Sequence, residues 1–234
     1  MKTALITGAS RGIGLATAHK FKSNGYHVIA TARKETDLEM LRSLGFEAHR
    51  LEVTDLDNIR TLHEELKANG KLPDILVNNA GVADLASLAR ISEKDFDHTL
   101  DVNLKSALFM TQKFVKNMAK NTFGRIVNVS SILSSLPQKG FASYAASKAG
   151  LEAFSRVAAL EYAEKGVTIN CVAAGFVDTD MIKSLANAEQ LKAQIHTRSI
   201  ASPEQIASAI LFLAEQSNIT GEVIQTNGGL LMKP

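Results

Sequence analysis

Residues 3–14, Thr-Ala-Leu-Ile-Thr-Gly-Ala-Ser-Arg-Gly-Ile-Gly, decide the fold of this chain. A short apolar run predicts a β-strand, and the glycines after it open a stretch with helical periodicity. Glycine permits a tight bend and a close approach of backbone to phosphate, while a helix N-terminus offers N–H groups and a positive dipole end. The spacing Gly-x-x-x-Gly-x-Gly differs from the commoner Gly-x-Gly-x-x-Gly. Its place at a strand-to-helix turn nevertheless predicts a dinucleotide site built from Gly8, Ser10, Arg11, Gly12, Ile13 and Gly14.

The alternation of strand and helix patterns continues along the chain. Strands are predicted at 3–7, 27–32, 47–53, 75–78, 125–129, 167–173 and 222–226, and helices at 12–23, 36–43, 56–69, 93–120, 143–165 and 203–216. Strands separated by helices imply a seven-stranded parallel sheet with helices on both faces, which is a doubly wound, Rossmann-type α/β fold. Four prolines and an even composition favour one domain over 1–234. The least regular segment, about 175–199, is predicted to be a substrate lid over the carboxyl ends of the strands.

Composition excludes several classes of protein. The 234 residues are 45% hydrophobic and 21% charged, and the net charge of +2 is too small to imply a nucleic-acid or membrane partner. No run approaches the ~20 apolar residues of a membrane span. The single cysteine, Cys171, rules out an intrachain disulfide, and its apolar neighbours predict a buried, inert thiol. We therefore expect a cytosolic protein, and the sequence predicts no metal site.

The end of the second predicted strand indicates which dinucleotide binds. An NAD site has an Asp or Glu about 20 residues past the glycines to bind the ribose 2′-hydroxyl. This strand instead ends in Ala32-Arg33-Lys34, and the first carboxylate is Glu35. Arg11, within the glycine turn, supplies a second guanidinium. Two arginines near the 2′ position suit a phosphate dianion, so the sequence favours NADP(H) over NAD(H); the alternative is that Arg33 and Lys34 form a solvated loop.

Tyr144 and Lys148 stand four residues apart in a predicted helix, so both side chains leave the same helix face. A free tyrosine has a pKa of about 10, and a nearby positive charge would lower it. The pair therefore suggests a general acid/base that works near neutral pH. Taken alone, the spacing is weak evidence for catalysis. A tyrosine four residues before a lysine on a helix is usually a half-buried ring beside a solvated amine.

With the glycine turn, these residues form an ordered set that resembles the short-chain dehydrogenase/reductase family from end to end. The matching motifs are Gly8/Gly12/Gly14, Asn78-Asn79-Ala80-Gly81, Asn103, Ser131 after Arg125-Ile126-Val127-Asn128-Val129, and Tyr144/Lys148. Members of that family are mostly oligomeric, nicotinamide-dependent oxidoreductases with a single Rossmann-type domain. The resemblance therefore implies an enzyme that acts on CH–OH or C=O groups.

Roles for individual residues follow from the resemblance alone. Ser131 would polarise the substrate carbonyl, Tyr144 would donate its proton, and Lys148 would lower the tyrosine pKa and bind the nicotinamide ribose. Asn103 would hold a water that links Lys148 to solvent. The remaining cofactor contacts would come from Glu52 and Val53 near the adenine, from the backbone of Asn79, Ala80 and Gly81, and from Val177 and Thr179. The chain departs from the family at Ala174, where proline is common, and at Glu52, where aspartate is usual.

Within the family, the runs at 7–14, 175–181 and 219–229 resemble 3-oxoacyl-[acyl-carrier-protein] reductases. This likeness implies NADPH-dependent reduction of a 3-oxoacyl thioester and an acidic carrier protein as partner. A basic face near the site entrance would bind that carrier; the alternative is that these lysines form a solvated helix face. We take that basic face to comprise Lys113, Lys116, Lys120 and Lys165, and we expect apolar pocket walls from Leu133, Leu136, Phe141, Phe176, Met181 and Leu185.

Two other functions remain open at this point. The same machinery could act on another ketone, such as a polyketide intermediate or a steroid-like ketone, or on a small secondary alcohol. Alternatively, the protein could sense NADP(H) without turnover, although a pure sensor needs no proton donor. The resemblance also implies a homotetramer, for which the helices at 93–120 and 143–165 and the apolar tail at 230–232 offer surfaces.

Overall fold

A computed structural model describes residues 1–180 and 188–232. Its strands are β1 (Thr3–Ile6), β2 (His27–Ala32), β3 (Glu47–Arg50), β4 (Ile75–Asn78), β5 (Gly124–Ser131), β6 (Val167–Ala174) and β7 (Val223–Thr226). Its α-helices are α1 (Gly12–Ser23), α2 (Glu35–Ser43), α3 (Leu56–Ala68), α4 (Glu93–Leu100), α5 (Ser106–Lys120), α6 (Ala142–Tyr162), α7 (Ala188–Gln194) and α8 (Pro203–Glu215).

The strands form one parallel sheet in the order β3-β2-β1-β4-β5-β6-β7. The order reverses between β1 and β4, which pair in register from Ala4 opposite Ile75 to Ile6 opposite Val77. Ligands of doubly wound sheets bind beside the carboxyl ends of the strands at such a reversal. The predicted Rossmann-type fold is confirmed, and the site is expected at this carboxyl edge.

Side chains alternate between the two faces of the sheet and so build two apolar layers. On β1, Ile6 packs with α1, α2 and α8, whereas Leu5 packs with α3, α5 and α6. The central strands β5 and β6 are buried along their whole length. Burying each aliphatic side chain of these two strands stabilises the fold by about 1.5–3 kcal/mol. This packing holds the ends of the strands, which carry the site, in fixed positions.

Two predicted elements differ in detail from the structure. The helix predicted at 93–120 is interrupted by a π-helical turn, Asp101–Lys105, in which the Ser106 N–H donates to the Asp101 carbonyl oxygen. The strand predicted at 47–53 ends at Arg50, because the Glu52 N–H donates to the Asn58 side chain at 2.7 Å and the chain turns into α3. Apolar periodicity cannot separate a π turn from an α turn, since both keep neighbouring turns on one face.

The segment after β6 is described at 175–180 and 188–199. Its first part is tied to the segment before α8, because the Ala201 N–H donates to the Phe176 carbonyl oxygen at 3.0 Å and the Asp178 N–H donates to that of Ala201 at 2.9 Å. Two predicted pocket residues, Met181 and Leu185, lie outside the described residues. Within the described part of the chain, no helix is long and apolar enough to cross a membrane.

Candidate active site

The predicted catalytic residues meet at the carboxyl edge of the sheet. Ser131 is the last residue of β5, and Tyr144 lies in the first turn of α6, with Lys148 one turn further on. The Ser131 hydroxyl accepts a hydrogen bond from the Leu133 N–H at 3.2 Å and interacts with the Tyr144 phenol. Asn103 lies in the π turn, and a Cβ on Gly81 would lie 3.3 Å from its Oδ1 and 3.6 Å from Lys148 Nζ.

Burial raises the pKa of the Tyr144 phenol, while the Ser131 hydroxyl acts to lower it. The Lys148 ammonium lies 5.7 Å from the centroid of the Tyr144 ring and donates instead to the Val129 carbonyl oxygen at 2.7 Å. In the protein on its own, burial and Ser131 account for this shift, so the role predicted for Lys148 in lowering the tyrosine pKa stays a prediction. The phenol remains protonated at neutral pH, which is the state that a proton donor needs.

Lys148 is a buried cation, with only 4% of its surface exposed. Burial lowers the pKa of its ammonium from 10.5 to about 8, while Cys171 and Glu152 act to raise it. A charged group in an apolar interior costs free energy unless it is paired, and here the direct partner is a neutral carbonyl oxygen. Lys148 is thus poised to change its charge near physiological pH.

Asn103 acts as a clamp between two parts of the site. Its Oδ1 accepts from the Val82 N–H at 2.9 Å, and its Nδ2 donates to the Val82 carbonyl oxygen at 2.9 Å and to Ser147 Oγ at 3.0 Å. Both amide donors are therefore used to join the loop after β4 to α6. One lone pair of Oδ1 is left for a water, so the predicted water-holding role stays a prediction.

The glycine turn has the shape that a dinucleotide phosphate requires. Gly8 and Gly12 have φ angles of +63° and +54°, which side chains rarely adopt. At Gly14 a Cβ would lie 2.3 Å from the Gly8 carbonyl oxygen and 2.5 Å from Asn79 Nδ2, so only glycine fits there. Helix α1 has no side-chain cap and no acidic residue in its first turn, which leaves its N–H groups and positive dipole end for an anion. Ser10 and Arg11 precede that helix, and Ile13 lies in its first turn.

The loop after β4 is fastened to the glycine turn. Asn79 Nδ2 donates to the carbonyl oxygens of Thr7 and Gly8 at 2.9 and 3.0 Å, and the Thr7 hydroxyl accepts from the N–H groups of Asn79 and Ala80 at 3.0 Å. Gly81 continues this loop to Lys148 and Asn103. The predicted cofactor residues 79–81 therefore connect the phosphate turn to the catalytic residues.

At the end of β2, Arg33 is exposed and faces Glu52, with 3.6 Å between Nη1 and Oε2. The other oxygen of Glu52 accepts from the N–H and hydroxyl of Thr54 at 3.2 and 3.0 Å, so the carboxylate also holds its own turn. Val53 packs into the core between the sheet and α3. An exposed guanidinium thus stands where an NAD site would have a carboxylate.

The start of the predicted lid reaches the glycine turn. Val177 is buried and pairs with Ala201, and the Thr179 hydroxyl donates to the Val177 carbonyl oxygen at 3.3 Å. A Cβ on Gly12 would lie 3.3 Å from Thr179 Cγ2. Both predicted cofactor residues of this segment therefore lie at the phosphate end of the site.

An apolar cluster lies beside Tyr144. Its buried members Ile132, Leu133 and Phe141 pack with Ala83, Leu136, Tyr144, Leu230 and Leu231. Three predicted pocket walls, Leu133, Leu136 and Phe141, are thus in place, while Phe176 lies outside this cluster. Leu230 and Leu231, predicted from the sequence to serve self-association, thus lie beside Tyr144. The place of this tail directly after the carboxyl end of β7 could have indicated its position beside the site.

The basic face lies at the opposite edge of the sheet from Tyr144. Helix α5 runs away from Asn103 and ends at Lys120, shortly before the first residue of β5, and Lys165 lies two residues before the start of β6. The eight residues of β5 span roughly 23 Å, which separates this edge from Ser131. The prediction that the basic face borders the entrance of this chain's own site is therefore wrong. Three of its lysines, Lys113, Lys116 and Lys120, line instead a groove of about 490 Å³ between α3 and α5. The other residues of the groove are His63, Lys67, Leu72, Gln112 and Asn117.

Cys171 takes no part in this chemistry. Its thiol is buried and lies 3.3 Å from Ser155 Oγ, and burial raises its pKa to about 12. The predicted inert thiol is confirmed. Among residues 1–180 and 188–232, no group of three or more His, Cys, Asp or Glu side chains could hold a metal ion.

Comparisons with known proteins agree with this geometry. The short chain dehydrogenase family model matches residues 2–190. The 3-oxoacyl-[acyl-carrier-protein] reductases FabG of Rickettsia felis and Escherichia coli K12 are 39% and 37% identical, over 99% of this chain and 97% and 98% of those proteins. Two solved structures share the fold at 28% identity. One is a putative gluconate dehydrogenase from Agrobacterium tumefaciens, with a TM-score of 0.93 over 100% of this chain and 97% of the other. The second is a protein from Brucella melitensis described as ribose-5-phosphate isomerase, with a TM-score of 0.94 over 99% and 93%.

The fold, the ordered site at the carboxyl edge and these full-length likenesses lead to one assignment. The chain belongs to the short-chain dehydrogenase family and is an oxidoreductase that acts on CH–OH or C=O groups.

Proposed function

We propose that the protein reduces a 3-oxoacyl thioester, carried by an acyl carrier protein, to the 3-hydroxyacyl thioester with NADPH. The observation that carries the proposal is the contact between Ser131 and a protonated, half-buried Tyr144 beside an apolar cluster. Relatives named as 3-oxoacyl-[acyl-carrier-protein] reductases, at 37–39% identity, support the choice of substrate.

The residues of this chain would divide the work of carbonyl reduction. NADPH, when bound, supplies the hydride. The Ser131 hydroxyl would hydrogen-bond the substrate oxygen, and the Tyr144 phenol would donate its proton as that oxygen becomes an alkoxide. A raised phenol pKa still allows this transfer, because an alkoxide is far more basic than a phenolate. Lys148, charged below about pH 8, would stabilise the resulting phenolate. The apolar cluster would exclude water and hold the acyl chain.

Arg33 and Arg11 support NADP(H) as the cofactor. Arg33 lies exposed at the end of β2, and its 3.6 Å ion pair with Glu52 is long and solvated, so it costs little to exchange for a phosphate. We expect Arg33→Ala to lower kcat/KM for NADPH about 10- to 100-fold and to leave that for NADH unchanged. Arg42→Ala, which removes an exposed guanidinium paired with Glu35, is the control. Equal wild-type efficiency with NADH and NADPH would refute the assignment.

The substrate is tested by NADPH oxidation with acetoacetyl-acyl carrier protein and acetoacetyl-CoA side by side. Faster turnover of the carrier-bound substrate supports the proposal and the carrier as partner. Lys165→Glu then tests the basic face, since it would raise KM only for the carrier-bound substrate if the carrier docks there. Turnover of neither thioester, with NADPH still bound, would refute the acyl assignment.

Another ketone is the second candidate. The observation that supports it is the structural likeness to a protein described as a putative gluconate dehydrogenase, at 28% identity and a TM-score of 0.93. Segment 175–199, proposed as the lid, would decide between the two, and a panel of ketones and alcohols would identify the substrate.

Assembly and location are further parts of the proposal. Val157 and Leu160 on α6 are 56% and 83% exposed, which supports burial of this helix between copies in a homotetramer. A monomer by light scattering at micromolar concentration would contradict this. A cytosolic location is proposed from the single reduced thiol.

A further inference from the structure

Glu152 is a buried carboxylate to which the proposed mechanism gives no role. The residue is 6% exposed and lies in α6, one turn after Lys148. Its Oε1 accepts from Ser130 Oγ at 2.6 Å and from Ser134 Oγ at 2.7 Å. These two serines flank Ser131 on either side, so one carboxylate oxygen fastens both ends of the turn that carries the proposed carbonyl-binding hydroxyl.

Three successive turns of α6 hold this same segment. Tyr144 interacts with Ser131, Lys148 donates to the Val129 carbonyl oxygen at 2.7 Å, and Glu152 accepts from the serines on both sides of Ser131. Residues four apart on a helix lie on one face, so a single stripe of α6 grips the end of β5 and the turn after it. The distance between Ser131 and Tyr144 therefore depends on this stripe.

A packing role alone does not account for a carboxylate here. Burying one costs free energy that an aliphatic side chain of similar size would not. It pairs with Arg156 at 3.7 Å, but that guanidinium is 54% exposed and so offsets the cost only in part. Burial lowers the pKa of the neighbouring Lys148, and Glu152 acts to raise it and so helps to keep that ammonium charged. The thiol of Cys171 on β6, with a pKa of about 12, is neutral where Lys148 titrates.

We propose that Glu152 is a positioning residue for the carbonyl reduction, which holds the Ser131 turn against the Tyr144 helix and supplies the negative charge beside Lys148. This inference rests on the catalytic roles proposed for Ser131, Tyr144 and Lys148, but it does not depend on which ketone is the substrate.

Kinetics of two variants separate the two parts of the role. Glu152→Leu removes both the serine contacts and the charge, and kcat should fall about 100-fold, as expected for a reacting group displaced by about 1 Å. Glu152→Gln keeps an acceptor oxygen, so most of kcat should return, while the alkaline limb of the pH profile should move to lower pH. Glu161→Gln makes the same chemical change at an exposed position near the end of α6 and should change neither.

A second measurement needs no substrate and so remains valid if the proposed function fails. In NMR titrations of ¹³C-lysine-labelled protein, Lys148 should titrate near pH 8, apart from ordinary lysines, and Lys148→Met assigns it. Glu152→Gln should lower this midpoint and Glu161→Gln should not. Should Glu152→Leu fail to fold, Ser134→Ala with Glu152→Gln still tests the serine contacts through kcat. An unchanged lysine midpoint together with kcat within twofold of wild type in every folded Glu152 variant would overturn the proposal.

Discussion

The two edges of the sheet differ in what balances the charge of a buried or partly buried side chain. At the carboxyl edge, Lys148 is held by a neutral carbonyl oxygen, and burial lowers its pKa toward neutrality, to about 8. At the amino edge, Glu47 begins β3 and accepts from His27, His49 and Lys71 at 2.8, 3.0 and 2.8 Å. Burial would raise the pKa of Glu47, but hydrogen bonds from Lys71, His49 and His27 lower it to about 2.

This contrast separates groups that act from groups that stabilise. A group with a pKa near 8 exchanges protons at physiological pH and pays for that with folding stability, which is typical of active sites. Glu47 stays ionised at every physiological pH. Its interactions with His27, His49 and Lys71 therefore contribute to the stability of the fold. Lysine and glutamate side chains are therefore proposed to serve catalysis at one edge, whereas at the other they stabilise the fold.

The largest effect on cofactor binding should come from Gly14→Ala at the carboxyl edge. The new Cβ would lie 2.3 Å from the Gly8 carbonyl oxygen, so the turn must move, and NADPH affinity should fall about 100-fold or more. Gly25→Ala is the control, because its position before β2 has a φ of +82° but no atom within 4 Å of the new Cβ. That variant should lose about 1 kcal/mol of stability and keep its affinity in fluorescence titrations.

Lys148→Met removes the buried positive charge at the carboxyl edge and should therefore abolish the difference between the two edges. We expect kcat to fall about 100- to 1000-fold, while the free energy of unfolding at pH 7 rises by about 1–3 kcal/mol. The folded pKa lies below the unfolded value of 10.5, so the cost of burying this cation is fully present below pH 8 and disappears as pH rises to 10.5.

Urea unfolding at pH 7 and pH 10.5 measures this difference, with the exposed Lys116→Met as control. Wild-type turnover should also decline above about pH 8, as Lys148 loses its proton. A destabilised Lys148→Met protein would show that the ammonium is a structural group instead.

Glu47→Gln should have the smaller and opposite effect. Its folded pKa is depressed from 4.5, so its contribution is present above pH 4.5 and is lost as pH falls toward 2. We expect a loss of about 2 kcal/mol at pH 7, no loss near pH 2, and unchanged kcat. Chemical denaturation across this pH range checks it, and a change in kcat would mean that the two edges are coupled.

Much of the architecture could be predicted from the sequence, because strand periodicity and the glycine turn are local signals. The parallel order then brings Ser131, Tyr144 and Asn79 to one edge without any knowledge of side-chain contacts. The pKa of Tyr144 could not be predicted, since it depends on how deeply the phenol is buried and not on its distance from Lys148 along the helix. The same holds for Glu152, whose role is visible only once Ser130 and Ser134 lie beside it.

The most direct test of the central claim is NADPH oxidation by Tyr144→Phe, with a substrate that the wild type reduces and with NADPH affinity measured in parallel. Phenylalanine keeps the ring in place and removes only the proton donor. The account predicts a loss in kcat of about 1000-fold with NADPH affinity unchanged. Turnover within tenfold of wild type would contradict it, because the proton would then come from another group.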